Sequence, residues 1–253
     1  MARALRLSLF ALVAGALLGV LALLAFFPAL RGGLCPQCYG LEKAAPGLWV
    51  EPAMSAPARA RLVADVAAAR RRVAGFYGPA RAHLRLIGCA TRACDRRLGG
   101  RGAAAVTYSL GPLAVVRLAP RGLNETILAH ELAHTETHAR LGLWGQVSGR
   151  MAAWFDEGLS VIVSDDPRYL APSGLAPSGA GGTEARCRRP PRPDLPESPF
   201  DWAPKAGREP GLYAEAGCAV LGWLAAHGGW PGYLAALEAG AGFPGAVLAD
   251  GAD

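Results

Sequence analysis

The sequence predicts an α+β fold, in which a small mixed or antiparallel sheet is followed by a mostly helical C-terminal half, behind an N-terminal transmembrane helix. Three observations predict it. An uncharged apolar run fills residues 7–30. Helix-spaced and alternating apolar positions succeed one another between residues 55 and 118. Beyond residue 124 helical spacing prevails. A chain of 253 residues can hold one domain of about 200 residues plus an appendage. The expected divisions are an anchor over 1–30, a connector over 31–53 and the domain over 54–253.

The run from Leu7 to Leu30 spans 24 residues without a charge. As a helix it measures roughly 36 Å, enough to cross a bilayer with some tilt. Arg3 and Arg6 precede it, which keeps the N-terminus cytoplasmic and sends the remainder across. The alternative is a cleaved signal peptide, whose apolar core is normally about 7–15 residues with a small-residue cleavage site after it. The longer run, ending in Phe26-Phe27-Pro28, favours an uncleaved anchor. Either route places the domain outside the cytoplasm, which is the periplasm if the cell is a Gram-negative bacterium.

The cysteines agree with that compartment. Six are present, as Cys35/Cys38, Cys89/Cys94 and the more distant Cys187 and Cys218. An even count beyond a membrane segment reads as disulfides. Cys35-Pro36-Gln37-Cys38 also has the spacing of a thioredoxin-type redox motif, but it follows the apolar run instead of joining a strand to a helix. The two close pairs together holding a zinc ion is a third option. A Cys187–Cys218 bond would pin a long loop onto the C-terminal helices.

The net charge of +6 comes almost wholly from arginine, Lys43 and Lys205 being the only lysines. The arginines are scattered, with Arg70-Arg71-Arg72 the longest run, and no nucleic-acid module is recognisable. Nucleic acid is therefore not an expected partner. Mild attraction to anionic headgroups suits an anchored protein.

Gly and Pro punctuate residues 31–53, with Tyr39 to Trp49 as the first expected contact with the domain. Ser55 is a suitable N-cap for a helix to Phe76, with Leu62, Val66, Val73 and Phe76 at helical spacing. Ala82 to Ile87 alternates as a strand does, with His83 on its solvated side and without a role. Val106–Leu110 and Leu113–Leu118 flank Gly111-Pro112 as a hairpin. Asn124 caps the next helix, Arg140 lies in its last turn and Gly142 ends it. Met151, Trp154, Phe155, Leu159, Ile162 and Val163 define a buried helix. Asp165 to Arg208 lacks periodicity and reads as a flap near a cleft, tethered through Cys187. Tyr213 to Leu248 reads as two or three short helices whose Trp223, Trp230, Tyr233 and Leu237 pack in the core.

Two motifs carry chemistry. His130-Glu131-Leu132-Ala133-His134 places two imidazoles one helical turn apart, on one face. Both can reach one Zn²⁺ at roughly 2.0–2.1 Å, with Glu131 beside the ion as a proton acceptor. Trp154-Phe155-Asp156-Glu157-Gly158 supplies a third donor, Glu157, after 22 intervening residues that allow one helix to end and another to begin. His138 extends the histidine row, but three ligands from one straight helix spread over two turns, about 11 Å, too far for one ion. His138 is expected at the rim or behind the ligands. Asp156 either orients a ligand histidine or is an ordinary surface carboxylate.

A His-Glu-x-x-His helix followed by a Trp-x-x-Glu-Gly helix resembles the gluzincin metallopeptidases, in particular the small peptidase MA-like domains and, more distantly, the M1 aminopeptidases. The resemblance covers roughly residues 103–250. It differs from the metzincins, since the positions three and six after His134 hold Thr137 and Arg140. The resemblance implies a zincin-like fold, one Zn²⁺ per chain held by His130, His134 and Glu157, and peptide hydrolysis with Glu131 as general base. It also implies a sheet edge beside the metal that pairs with an extended substrate. Its M1 branch uses a Tyr-x-x-Gly tyrosine to stabilise the oxyanion. Here Tyr213-Ala214-Glu215-Ala216-Gly217 has the Gly one residue late, and Tyr213 is the candidate ahead of Tyr108 and Tyr169. No Gly-Ala-Met-Glu-Asn-like segment is present, and Gly102-Ala103-Ala104-Ala105-Val106 lacks an acid, which favours an endopeptidase acting on a peptide or protein. The alternatives are a catalytically silent zincin-fold binding or assembly protein of the cell envelope, and a redox protein working through Cys35 and Cys38.

Overall fold

A computed structural model describes residues 2–172 and 186–243. Helices α1 (Ala2–Phe26) and α2 (Pro28–Leu34) form the N-terminal segment. The single span expected to run through Leu30 does not form. Pro28 lacks an N–H to continue the helix and forces Phe27 out of helical backbone, to φ −118° and ψ 84°. The chain turns by 104° there. Among the described residues no single helix is long and apolar enough to cross a membrane, although Leu12–Phe26 and Pro28–Leu34 reach that length and composition together.

The domain mixes a small sheet with a helical half. The strands are β1 (Glu42–Ala45), β2 (Leu48–Val50), β3 (His83–Gly88), β4 (Ala105–Leu110) and β5 (Leu113–Leu118), in the order β1-β2-β3-β5-β4. The β1–β2 and β4–β5 pairs are antiparallel; β2–β3 and β3–β5 are parallel. The hairpin expected at Gly111-Pro112 is present, with Leu110 opposite Leu113 and Gly111 at φ +56°, where a side chain would be strained. β1 and β2 arise within the stretch expected to be a connector.

Alternate strand residues divide between two packed faces. Leu86, Val116 and Leu118 belong to the main core, with Leu62 and Val66 of α3 (Ala56–Tyr77) and Leu128 and Leu132 of α5 (Glu125–Val147). Ile87 and Val115, on the other face, meet Leu41, Cys89 and Leu98. α2 lies over this second face so closely that a Cβ on Gly33 would come within 2.5 Å of Val115. Beneath it, Arg117 and Asp95 of α4 (Arg92–Arg97) make a buried ion pair.

The helical half comprises α5, α6 (Ala153–Ser164), α7 (Pro199–Ala206), α8 (Leu212–Ala226) and α9 (Gly229–Glu238). Asn124 caps α5 as expected, its Oδ1 accepting the Ile127 N–H at 3.0 Å. Gly142 breaks α5 with φ 67° and ψ 175°, and a further helical stretch follows it to Val147. Disulfides join Cys35 to Cys38, Cys89 to Cys94 and Cys187 to Cys218, so the four-cysteine zinc option is not formed. Part of the flap expected over 165–208, residues 173–185, lies outside the described residues. The rest is not all loop: Ser198 caps α7, whose Trp202 is buried.

α6 and α8 are in close contact at Gly158, the residue after Glu157. A Cβ there would lie 2.5 Å from the Ala216 carbonyl oxygen and 2.6 Å from the Val220 side chain. Gly158→Ala is therefore expected to destabilise the domain by about 1–3 kcal/mol through overpacking. Thermal unfolding checks it: at about 2–4 °C per kcal/mol for a chain this size, Tm should fall by several degrees. An unchanged Tm would mean that the two helices can separate without cost.

Candidate metal centre

α5 carries His130, Glu131, His134 and His138, and α6 carries Asp156, Glu157 and Ser160. The two helices pack against each other, and β4 runs along the other side of α5. Helical periodicity turns Trp154, Phe155, Leu159 and Ile162 into the core. Glu157 is left facing the two histidines of α5.

The three sequence-predicted ligands converge. His130 Nε2 and His134 Nε2 are 3.2 Å apart. Glu157 Oε2 lies 3.1 Å from the first and 3.5 Å from the second. A tetrahedral ion with bonds of about 2.0–2.1 Å sets its ligand atoms about 3.3–3.4 Å from one another. The triangle matches that spacing, and its donors, two imidazole nitrogens and a carboxylate oxygen, suit Zn²⁺.

Behind the triangle, His134 Nδ1 donates to Asp156 Oδ2 at 2.7 Å, which leaves Nε2 with its lone pair toward Glu157 and His130. Ser160 Oγ, fully buried on α6, is 3.1 Å from the same Nδ1. His138 Nε2 donates to Asp156 Oδ2 at 3.0 Å. Asp156 thus bridges His134 and His138 and is mostly buried, which departs from an ordinary surface carboxylate.

The electrostatics call for positive charge. Burial pushes Glu157 up, but His134 and His130 outweigh it and hold the carboxyl down at about 2. Asp156 follows the same pattern, with His134 and His138 bringing it well below the usual carboxylate range against its burial. Burial pulls His134 down, yet Asp156 and Glu157 leave it well above the ordinary histidine value. Two buried carboxylates need a cation, and either an imidazolium or a divalent ion satisfies them.

Glu131 is 8% exposed and belongs to the wall of the same cleft, a space of about 1870 Å³ that also reaches Tyr108, Tyr169, Tyr213, Trp202 and the Phe26–Pro28 corner. Thr107 Oγ1 of β4 donates to Glu131 Oε2 at 2.6 Å. Tyr213 stands beside His130, its ring centroid 6.1 Å from that of the imidazole. Its ring stacks on Tyr169 at 4.9 Å and meets Trp202 edge-on at 5.3 Å. The Glu157 carboxylate and then burial push the Tyr213 hydroxyl far above its ordinary value, so it keeps its proton as a donor. Tyr108 of β4 meets Phe27 edge-on at 5.7 Å.

Sequence reasoning missed Thr107, Ser109, whose Oγ contacts His138 Nδ1, Ser160 and Trp202. Ser160 leaves one trace, a hydroxyl on the apolar face of a buried helix. The others are fixed by partners distant in sequence and leave none. Comparison of the chain with protein-family models, with curated proteins and with solved structures finds no match.

Proposed function

We propose that this protein is a zinc-dependent peptidase of gluzincin type on a zincin-like fold, tethered to a membrane by its bent N-terminal apolar segment with the domain outside the cytoplasm. The observation that carries the reading is the convergence of His130, His134 and Glu157 at mutual distances of 3.1–3.5 Å, with Glu131 and Tyr213 beside them.

When bound, Zn²⁺ supplies a Lewis acid that polarises a carbonyl and acidifies a water. The chain's own groups do the rest. Glu131, aimed by Thr107, accepts a proton from the attacking water and returns it to the leaving amine. The Tyr213 hydroxyl donates to the oxyanion as it develops. β4 has a strand partner only in β5 among the described residues, so its other edge is open to an extended polypeptide by strand addition. Phe26, Phe27 and Pro28 line the same cleft, so α1 leaves the domain at the cleft wall. A bilayer around α1 would then favour polypeptide segments close to the membrane. Exposed Phe10, Leu12, Leu18, Leu21 and Phe26 on α1 support that placement.

Incubation of the full chain in detergent with a denatured polypeptide tests the activity. Internal cleavage is expected, abolished by a zinc chelator and restored by added Zn²⁺. Cleavage that survives complete removal of metal would exclude this chemistry.

A further inference from the structure

The hydrolytic reading needs two groups held in a fixed orientation, the Glu131 carboxylate and the His134 ring, and the same edge strand reaches both. Thr107 and Ser109 lie two residues apart on β4, opposite Val116 and Ala114 of β5, and so share one face. Thr107 Oγ1 donates to Glu131 Oε2 at 2.6 Å. Ser109 Oγ is in hydrogen-bond contact with His138 Nδ1. The Gln146 side-chain NH₂, a donor with no acceptor capacity, approaches the same oxygen at 3.5 Å, while the Gln146 Oε1 is held by the Gly111 N–H at 2.9 Å. The Ser109 hydroxyl can in turn donate to His138 Nδ1. In that arrangement the ring carries its proton on Nε2, which donates to Asp156 Oδ2 at 3.0 Å. The same Oδ2 accepts from His134 Nδ1 at 2.7 Å.

We propose that Thr107 and Ser109 are positioning residues of this centre: alternate hydroxyls of the edge strand β4, one aiming the Glu131 carboxylate and the other, through His138 and Asp156, fixing the tautomer and orientation of His134. β4 then serves both as the edge open to a polypeptide backbone and as the element that orients the reacting groups. The Thr107 half rests on the peptidase reading above; the Ser109 half rests on metal binding alone.

The experiment measures two affinities in the full chain in detergent. Zn²⁺ is titrated against a chelator, and acetohydroxamate, a zinc-binding acid whose proton Glu131 is placed to accept, is titrated into the zinc-loaded protein. Partners behind a metal ligand typically change affinity or activity by about 10–100-fold. Ser109→Ala should weaken Zn²⁺ by about tenfold or more, with Ser109→Thr retaining the wild-type value. Thr107→Val should weaken acetohydroxamate by a similar factor, leave Zn²⁺ affinity unchanged and, in turnover, lower kcat with KM little moved; Thr107→Ser should restore it. Unchanged Zn²⁺ affinity in Ser109→Ala, or equal losses in Thr107→Val and Thr107→Ser, overturns the proposal. A wild-type chain that binds both ligands but cleaves nothing counts against the peptidase reading alone, and the two affinities still decide the role of β4. A wild type that binds no zinc removes both.

Discussion

Glu131→Gln is expected to lower kcat on a denatured polypeptide by roughly 10²–10⁴, the usual contribution of a positioned acid–base group. Zinc content should stay that of the wild type. The substitution keeps the shape of the side chain, and the amide oxygen can still accept the Thr107 hydroxyl that now reaches Oε2 at 2.6 Å. What it removes is the ability to take a proton and give it back. None of the ligand atoms belongs to Glu131, so the metal triangle of His130, His134 and Glu157 should persist. A binding or assembly protein would behave differently, since Gln fills the same space and its cellular role would survive. Retention of both activity and zinc in Glu131→Gln would contradict the assignment of the general base.

Glu157→Ala is expected to weaken Zn²⁺ binding by about two to three orders of magnitude. Zinc in four-ligand structural sites has apparent affinities of about 10–16 kcal/mol, so one ligand is worth roughly 2.5–4 kcal/mol, and each 1.4 kcal/mol is about tenfold. The fold should survive, because Trp154, Phe155 and Leu159 bury α6 independently of Glu157. Unchanged far-ultraviolet circular dichroism together with the lost affinity separates a missing ligand from an unfolded chain. Wild-type affinity in Glu157→Ala would show that the metal, if bound, sits elsewhere.

Local patterns made much of the fold readable. Ser55, Asn124 and Gly142 marked helix boundaries through backbone chemistry that depends on near neighbours, and Gly111-Pro112 did the same for the hairpin. His130, Glu131 and His134 were readable from their own spacing on one helix, and Glu157 because the apolar positions of α6 fix its direction as well as its position. β1 and β2 were not. Strands of four and three residues among Gly and Pro carry no period of their own, and β2 exists because β3, some 35 residues away, supplies its parallel partner. The break after Phe26 was visible as Pro28 but was absorbed into the apolar run. α7 offers a single buried apolar anchor, Trp202, too few for helical spacing to show. In the site itself, Thr107 and Ser109 look like ordinary hydroxyls of a half-buried strand. Their partners lie 24 and 29 residues away on α5. Arg117 within an otherwise apolar strand hints at a buried partner, but only the fold brings Asp95 to it.

The most direct measurement is metal analysis of the purified full-length chain in detergent, alongside His130→Ala and Glu157→Ala. The account predicts about one zinc per wild-type chain, the stoichiometry of a single three-ligand hydrolytic site, and a small fraction of that in either variant. A wild type that stays metal-free in zinc-containing buffer, or variants that keep a full equivalent, would contradict it.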